Sequence, residues 1–278
     1  MHKLIREFAL TVKSTFYCAL IIIAFWLFCT VAVYFLPQWS TPIELSKMFA
    51  TPSFDQWFGH DDLGRSIGER VIIGAATSVS VALMVVAITS VFGTAFGVFI
   101  AWCGRYIDLI GVRVIDVFLA FPGILLAIAL AAVLGPGVDN VIIALVAVSW
   151  VGFARLARAQ TLSVKQREHV QVAVALGTPT VTIIRKHVLP LIAAPLIVEA
   201  TFAVAAVIVA EAGLSFLGLG VQPPAPSWGS MIKQGTQYLL IAPHMVIAPG
   251  FALFSMVFAI NVLGDRLRDR LQVKESHF

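Results

Sequence analysis

The sequence predicts an all-α integral membrane protein with about six transmembrane helices, and three observations carry that prediction. Of its 278 residues 59% are hydrophobic and 12% charged, against roughly 45–50% and 25% in soluble domains. The mean hydropathy is +0.94. The apolar residues gather into runs long enough to cross a hydrocarbon core about 30 Å thick, which takes ~20 residues of helix. Such runs fall at roughly 16–36, 76–101, 114–134, 138–154, 190–210 and 244–263. They leave no length for a large extramembrane domain.

Each run has its own reading. Lys3, Arg6 and Lys13 precede the first as they would in a secretory signal. That stretch exceeds the ~7–15 residues of a signal core, and no small-residue cleavage site follows before Pro37, so it reads as a retained span. Gly93 and Gly97 form a G-x-x-x-G in the second run, and alanines recur in the third and fifth, a pattern that lets helices approach closely in lipid. Pro122 inside the third run predicts a kink. Glu199 lies about mid-span in the fifth, where a charge is expensive and turns toward protein or water, which makes it the candidate for a transport path. Cys18, Cys29 and Cys103 lie in or beside the runs without metal or disulfide spacing and read as small apolar residues.

The basic residues set the orientation. With the N-terminus inside, only Lys47, Arg65, Arg70 and Lys233 of the 19 Lys and Arg fall in outer segments. That bias predicts both termini on the cytoplasmic side. It also accounts for the net charge of +4 without nucleic acid.

Two outer segments and one inner connection carry the motifs. Residues 37–75 begin at Pro37 and hold His60-Asp61-Asp62-Leu63-Gly64-Arg65-Ser66, which by itself reads as a solvated turn with a surface salt bridge. Residues 213–243 are rich in Gly and Pro but apolar, which predicts burial against the membrane domain. The inner connection 155–189 holds Val170, Ala173 and Leu176 at helical spacing, interrupted at Gly177. Thr178 then reads as an N-cap with Pro179 at the first helical position, and Pro190 as the end of a second short helix. The product is a helix-turn-helix hairpin at the membrane surface, with Gly177 supplying a left-handed turn or a close approach.

The run from Gln171-Val172-Ala173 to Gly177, then nine residues, then His187-Val188-Leu189-Pro190, resembles the E-A-A-x3-G-x9-I-x-L-P loop of ABC importer permeases. Gln171 replaces the Glu, Val172 the first Ala and His187 the Ile; the last change is common in the oligopeptide/dipeptide branch. Phe58-Gly59-His60-Asp61-Asp62-Leu63-Gly64-Arg65 resembles the F-G-T-D-x-x-G-R-D signature of the same permeases. Glu211-Ala212-Gly213-Leu214-Ser215-Phe216-Leu217-Gly218-Leu219-Gly220-Val221-Gln222-Pro223-Pro224, with Trp228-Gly229, resembles their most recognisable segment. The likeness covers about residues 55–270.

The resemblance implies a type I ABC importer permease fold in a bacterial or archaeal cytoplasmic membrane. Residues 1–75 would be the N-terminal tail, first helix and external segment. Residues 76–264 would be a five-helix permease core with the coupling loop 155–190, and 265–278 a cytoplasmic tail. The implied partners are a second homologous permease, two cytoplasmic ATPases that dock on the loop, an external binding protein and the lipid bilayer. ATP and Mg would be used by the ATPases, since this chain has no G-x-x-x-x-G-K-[ST] loop, and no cofactor or metal is expected on it. Di- or oligopeptides are the implied cargo, with nickel or a metallophore complex as an alternative. An intramembrane enzyme is the remote alternative, because Glu199 stands without converging groups while His60, His169, His187 and His244 fall at span ends or loops.

Overall fold

Apolar runs fold as helices in lipid because each backbone N–H and C=O must be satisfied within its own segment. The computed structural model describes residues 2–35, 42–54 and 56–275, with side chains described between 14 and 271. The start of the first outer segment at Pro37 lies outside the described residues. In chain order the helices are α1 (His2–Phe35), α2 (Ile67–Cys103), α3 (Arg105–Leu119), α4 (Gly123–Leu134), α5 (Val138–Lys165), α6 (Glu168–Ala175), α7 (Thr180–Ile183), α8 (Leu189–Phe216), α9 (Trp228–Thr236) and α10 (His244–Glu275). Five stretches are long and apolar enough to cross a membrane, and the bent pair α3–α4 makes a sixth if taken as one span. Among the described residues β pairing is limited to an isolated bridge between His60 and Ser66.

Several boundaries differ from the sequence reading. The second span starts at Ile67 rather than 76, because the Ser66 hydroxyl accepts a hydrogen bond from the Glu69 N–H and caps a helix whose first turns include Arg70. The kink expected at Pro122 is a break of 80° between α3 and α4. Pro122 has no N–H to continue α3 and disfavours helix at the residue before it, so it caps α4 instead. Pro190 does not end the second hairpin helix: α7 passes through a π turn, Ile184–Val188, into α8, where Pro190 occupies the first turn and needs no donor. The last helix likewise continues past 263 to Glu275.

The glycines of the second span do what their spacing implies. A Cβ on Gly93 would lie 2.4 Å from the Trp150 carbonyl, and one on Gly97 2.2 Å from that of Ala154, so α2 and α5 meet backbone to backbone. Trp150 is ringed by Phe92, Phe96 and Phe118 at centroid distances of 5.3, 5.1 and 5.4 Å, which ties α3 to this pair. Residues 42–66 and 217–243 lie together at one end of the bundle, where Trp26 of α1 stacks edge-on against Trp228 at 5.1 Å. The α6–α7 hairpin lies at the opposite end, beside the contact of Lys165 Nζ with the Trp102 carbonyl at 2.9 Å.

Candidate functional site

The hairpin is built around one glycine. Helix α6 closes with a paired cap: Gly177 N–H donates to the Val174 carbonyl at 3.0 Å and Thr178 N–H to that of Ala173 at 3.1 Å. This Schellman geometry needs a left-handed residue after the cap, and Gly177 has φ +74°. Its chain neighbours aside, none of the described residues lies within 4 Å of a Cβ built there. The N-cap of α7 is Pro179, one residue later than expected. Val170 and Ile183, both buried, seat the hairpin on α2 and α5 through Val98, Ala157 and Val164.

Much of the rest of the hairpin points outward. Val172 is 57% exposed, Leu176 79% and Val181 76%. Gln171, where the resembled loop has Glu, turns its amide back to the Gln166 carbonyl at 3.2 Å. Ala173 is half-buried against the seat, while Leu189 and Pro190 are exposed at the top of the hairpin. The rings of His187 and His169 lie 5.9 Å apart across it.

At the other end the solvated-turn reading fails. Asp61 is 3% exposed, Arg65 8% and Arg70 3%. Asp61 Oδ1 accepts from the N–H groups of Leu63 and Arg65, both at 2.9 Å, and Oδ2 accepts from Arg65 Nε at 2.7 Å and from Arg70 Nη1. Arg70 Nη2 continues to Gln234 Oε1 at 2.9 Å, so one carboxylate joins the 56–66 segment, α2 and α9. Asp62 is peripheral, 3.7 Å from Arg65. Gly64 has φ +70°, and a Cβ there would overlap the Glu44 carbonyl.

The Gly/Pro segment packs only in part: Gly220, Val221 and residues 226–229 are buried, whereas residues 222–225 and 239–241 are exposed. Gly213 belongs to α8, which runs to Phe216, and nothing crowds its Cβ position. Gly218, φ +89°, ends α8 with the same paired cap seen at Gly177. Gly220 lies against Ser215, and Gly229 against the Ala212 backbone. Pro223 and Pro224 are joined by a cis bond. Trp228 is fully buried, its indole N–H donating to the Val71 carbonyl at 3.0 Å. Glu211, 1% exposed, accepts from the Ser215 hydroxyl at 2.7 Å.

Glu199 is half-buried on α8 and lines a cavity of about 400 Å³ between α5, α8 and α10, with Gln160 and Arg268. Two features escaped the sequence reading. Arg70 and Gln234 complete the Asp61 network across a separation of 164 residues. Arg158 clamps Asp108 with two hydrogen bonds of 2.6 Å and fixes α3 to α5. A charge repeatedly placed near a span end was the available signal for each.

With this geometry in view, comparison with known proteins is decisive. The family of binding-protein-dependent transport system inner membrane components matches residues 93–275. The chain belongs to that family. It is a multi-pass inner membrane permease of the ABC importer class. The dipeptide transport system permease protein DppC of Alkalihalophilus pseudofirmus is 42% identical over 229 residues, covering 82% of this chain and 75% of its own length. The glutathione transport system permease protein GsiD of Escherichia coli O1:K1 is 40% identical over 250 residues, covering 88% and 82%. Among solved structures, the inward-facing MetNI methionine ABC transporter aligns at TM-score 0.59 and 18% identity, over 73% of this permease and 96% of that chain, which establishes a shared fold.

Proposed function

We propose that the permease is one of two homologous membrane subunits of an importer of short peptides, energised by two ATPase subunits that dock on the α6–α7 hairpin. The observation that carries this reading is the apolar rim around Gly177. Val172, Val174, Leu176 and Val181 are all more than half exposed, on short helices that project from the bundle. An apolar patch of this kind on a solvent-facing element marks a partner surface. Arg185 and Lys186 beside it, with the basic C-terminal turns of α10, favour the cytoplasm for this end and for both termini. Peptide cargo is favoured by the relatives, which are named for dipeptide and glutathione transport.

In this reading the chain itself binds no nucleotide or metal; ATP and Mg act on the partners. ATP-driven closure of the ATPase pair carries the hairpin with it, tilts the helix continuous with α7, and opens the path, lined by Glu199, to an external binding protein seated at the opposite end. Hydrolysis resets the hairpin and releases peptide inward. No group on this chain is assigned a catalytic part.

Leu176→Asp and Val181→Asp test the docking surface, because both side chains are exposed and neither change disturbs the bundle. Membrane insertion should be normal while ATPase co-purification and dipeptide uptake are lost. Uptake at the wild-type level in both variants refutes the coupling role. Uptake of nickel in place of labelled dipeptide by the intact importer refutes the cargo.

A further inference from the structure

We propose that the cavity between α5, α8 and α10 receives the two charged ends of a short peptide, its ammonium against Glu199 and its terminal carboxylate against Arg268. The inference rests on the peptide-import reading above and names the residues that read the cargo. The cavity measures about 400 Å³, within the roughly 300–1,000 Å³ of small-ligand sites. Its polar lining is Glu199, Arg268 and Gln160, and its walls include Leu156, Val198 and Phe202.

The charges are what single this cavity out. Glu199 and Arg268 share it, yet neither has an ion pair or hydrogen bond among the described residues. Glu199 is half-buried and Arg268 solvent-exposed, and opposite charges on one cavity beyond ion-pair distance leave each free to bind a counter-charge brought by a ligand. A carboxylate at membrane depth is costly unless it faces water or a partner. Helix α5 leaves room for it: Gly152 lies opposite, and even a Cβ there would come within 3.3 Å of Glu199 Oε1. A di- or tripeptide holds its opposite terminal charges about 7–10 Å apart at ~3.5 Å per residue, so it can offer one to each residue without requiring the two to pair directly. Gln160 can both donate to and accept from the peptide unit between them. The apolar walls bind side chains without reading their identity, which suits a site that must pass many sequences.

A phospholipid bearing an ammonium headgroup carries a related pair of charges, so the test separates the two sources. The importer, assembled with its second permease and ATPases, is placed in phosphatidylglycerol nanodiscs, whose lipid carries no ammonium, without the binding protein. Binding of labelled alanyl-alanine is compared with that of its N-acetyl and C-amide forms, to wild type, Glu199→Gln and Arg268→Gln. Co-purification of the subunits shows that each variant is assembled.

Losing one charge-assisted contact should weaken binding about tenfold or more. Acetylation should therefore weaken binding to wild type but leave Glu199→Gln indifferent, and amidation should weaken wild type but leave Arg268→Gln indifferent. A merely structural role for either residue would not move that discrimination. Insensitivity of wild type to both caps, additive effects of cap and substitution, or no measurable peptide binding to wild type overturns the assignment. So does native mass spectrometry in which added phosphatidylethanolamine is retained by wild type and lost from Glu199→Gln. Uptake of alanyl-alanine by wild type with its binding protein is the separate control. Its failure overturns the import reading itself, whereas uptake with capping-insensitive binding overturns the cavity alone.

Discussion

Replacing Asp61 with alanine withdraws an acceptor from four donors at once: the N–H groups of Leu63 and Arg65, and the guanidinium groups of Arg65 and Arg70. Both arginines stay buried, at 8% and 3% exposure, with no carboxylate of comparable placement, since Asp62 is 3.7 Å from Arg65 and half-buried. Removing one partner of a buried pair costs about 3–5 kcal/mol, mostly the desolvation of the charge left behind. The assay is unfolding of the permease in mixed micelles titrated with SDS, followed by tryptophan fluorescence. Trp228, buried next to this network's α9 anchor, supplies a local signal.

The control makes the reasoning refutable. Asp61→Ala with Arg70→Leu removes charge from both sides, and paired removal of buried charges is often close to neutral. The double variant should therefore recover the part of the loss that comes from Arg70, leaving the Arg65 guanidinium and the backbone donors of the 61–65 turn unmet. A single-variant loss below about 1 kcal/mol, the level of an exposed salt bridge, refutes burial of the network. A double variant worse than the single by the sum of its parts refutes the charge argument.

Other positions give sharper or smaller effects. Gly97→Leu pushes a side chain into the Ala154 backbone, 2.2 Å from the Cβ position, and should exceed the ~1–3 kcal/mol of ordinary overpacking; normal yield of folded protein in size-exclusion chromatography contradicts the α2–α5 contact. Glu211→Ala should cost ~2–4 kcal/mol in the SDS titration through a void and an unmet Ser215 hydroxyl, while Glu211→Gln keeps most of the stability. Exchanging the partners, Asp108→Arg with Arg158→Asp, should restore part of the stability lost by either change alone, with a coupling of about 1 kcal/mol because the pair is part-exposed. Gly177→Val should strain the left-handed cap by ~1–2 kcal/mol and Gly177→Asn much less, an order readable in dipeptide uptake.

What the sequence made legible was local chemistry. The hairpin was readable because Gly177 and Thr178-Pro179 punctuate a helical pattern within ten residues, and the G-x-x-x-G pair because its meaning does not depend on which helix it meets. The proline at 122 was visible, but not the 80° of the break, which depends on Phe118 being anchored in the aromatic ring around Trp150. The Asp61 network was misread as solvated because its outer partners stand in α2 and α9, and a charge pattern cannot announce a partner 164 residues away. That Glu199 would turn to protein or water was legible from the cost of a mid-span charge, but not that it would face Gly152 of α5, since lipid-facing and interior faces in this chain are both apolar.

The two ends of the permease are built for different work. At one, Asp61, Trp228, Gly229 and Glu211 lock the segments that precede α2 and follow α8 onto those helices. At the other, the hairpin is held by a small apolar seat and presents an uncovered rim. They are joined by one helical path, Thr180–Phe216. If its far end is pinned near Glu211, about 46 Å from Thr180 at 1.5 Å per residue, a tilt of roughly 10° moves the hairpin by about 8 Å. Glu199, about 18 Å from the pivot on the same scale, moves by about 3 Å. That displacement is enough to make or break a charge-assisted hydrogen bond. The proposed stroke would thus change the grip of Glu199 on a ligand ammonium without moving the locked end, and crosslinking α8 to α10 beside the cavity should stop transport while leaving the ATPases bound.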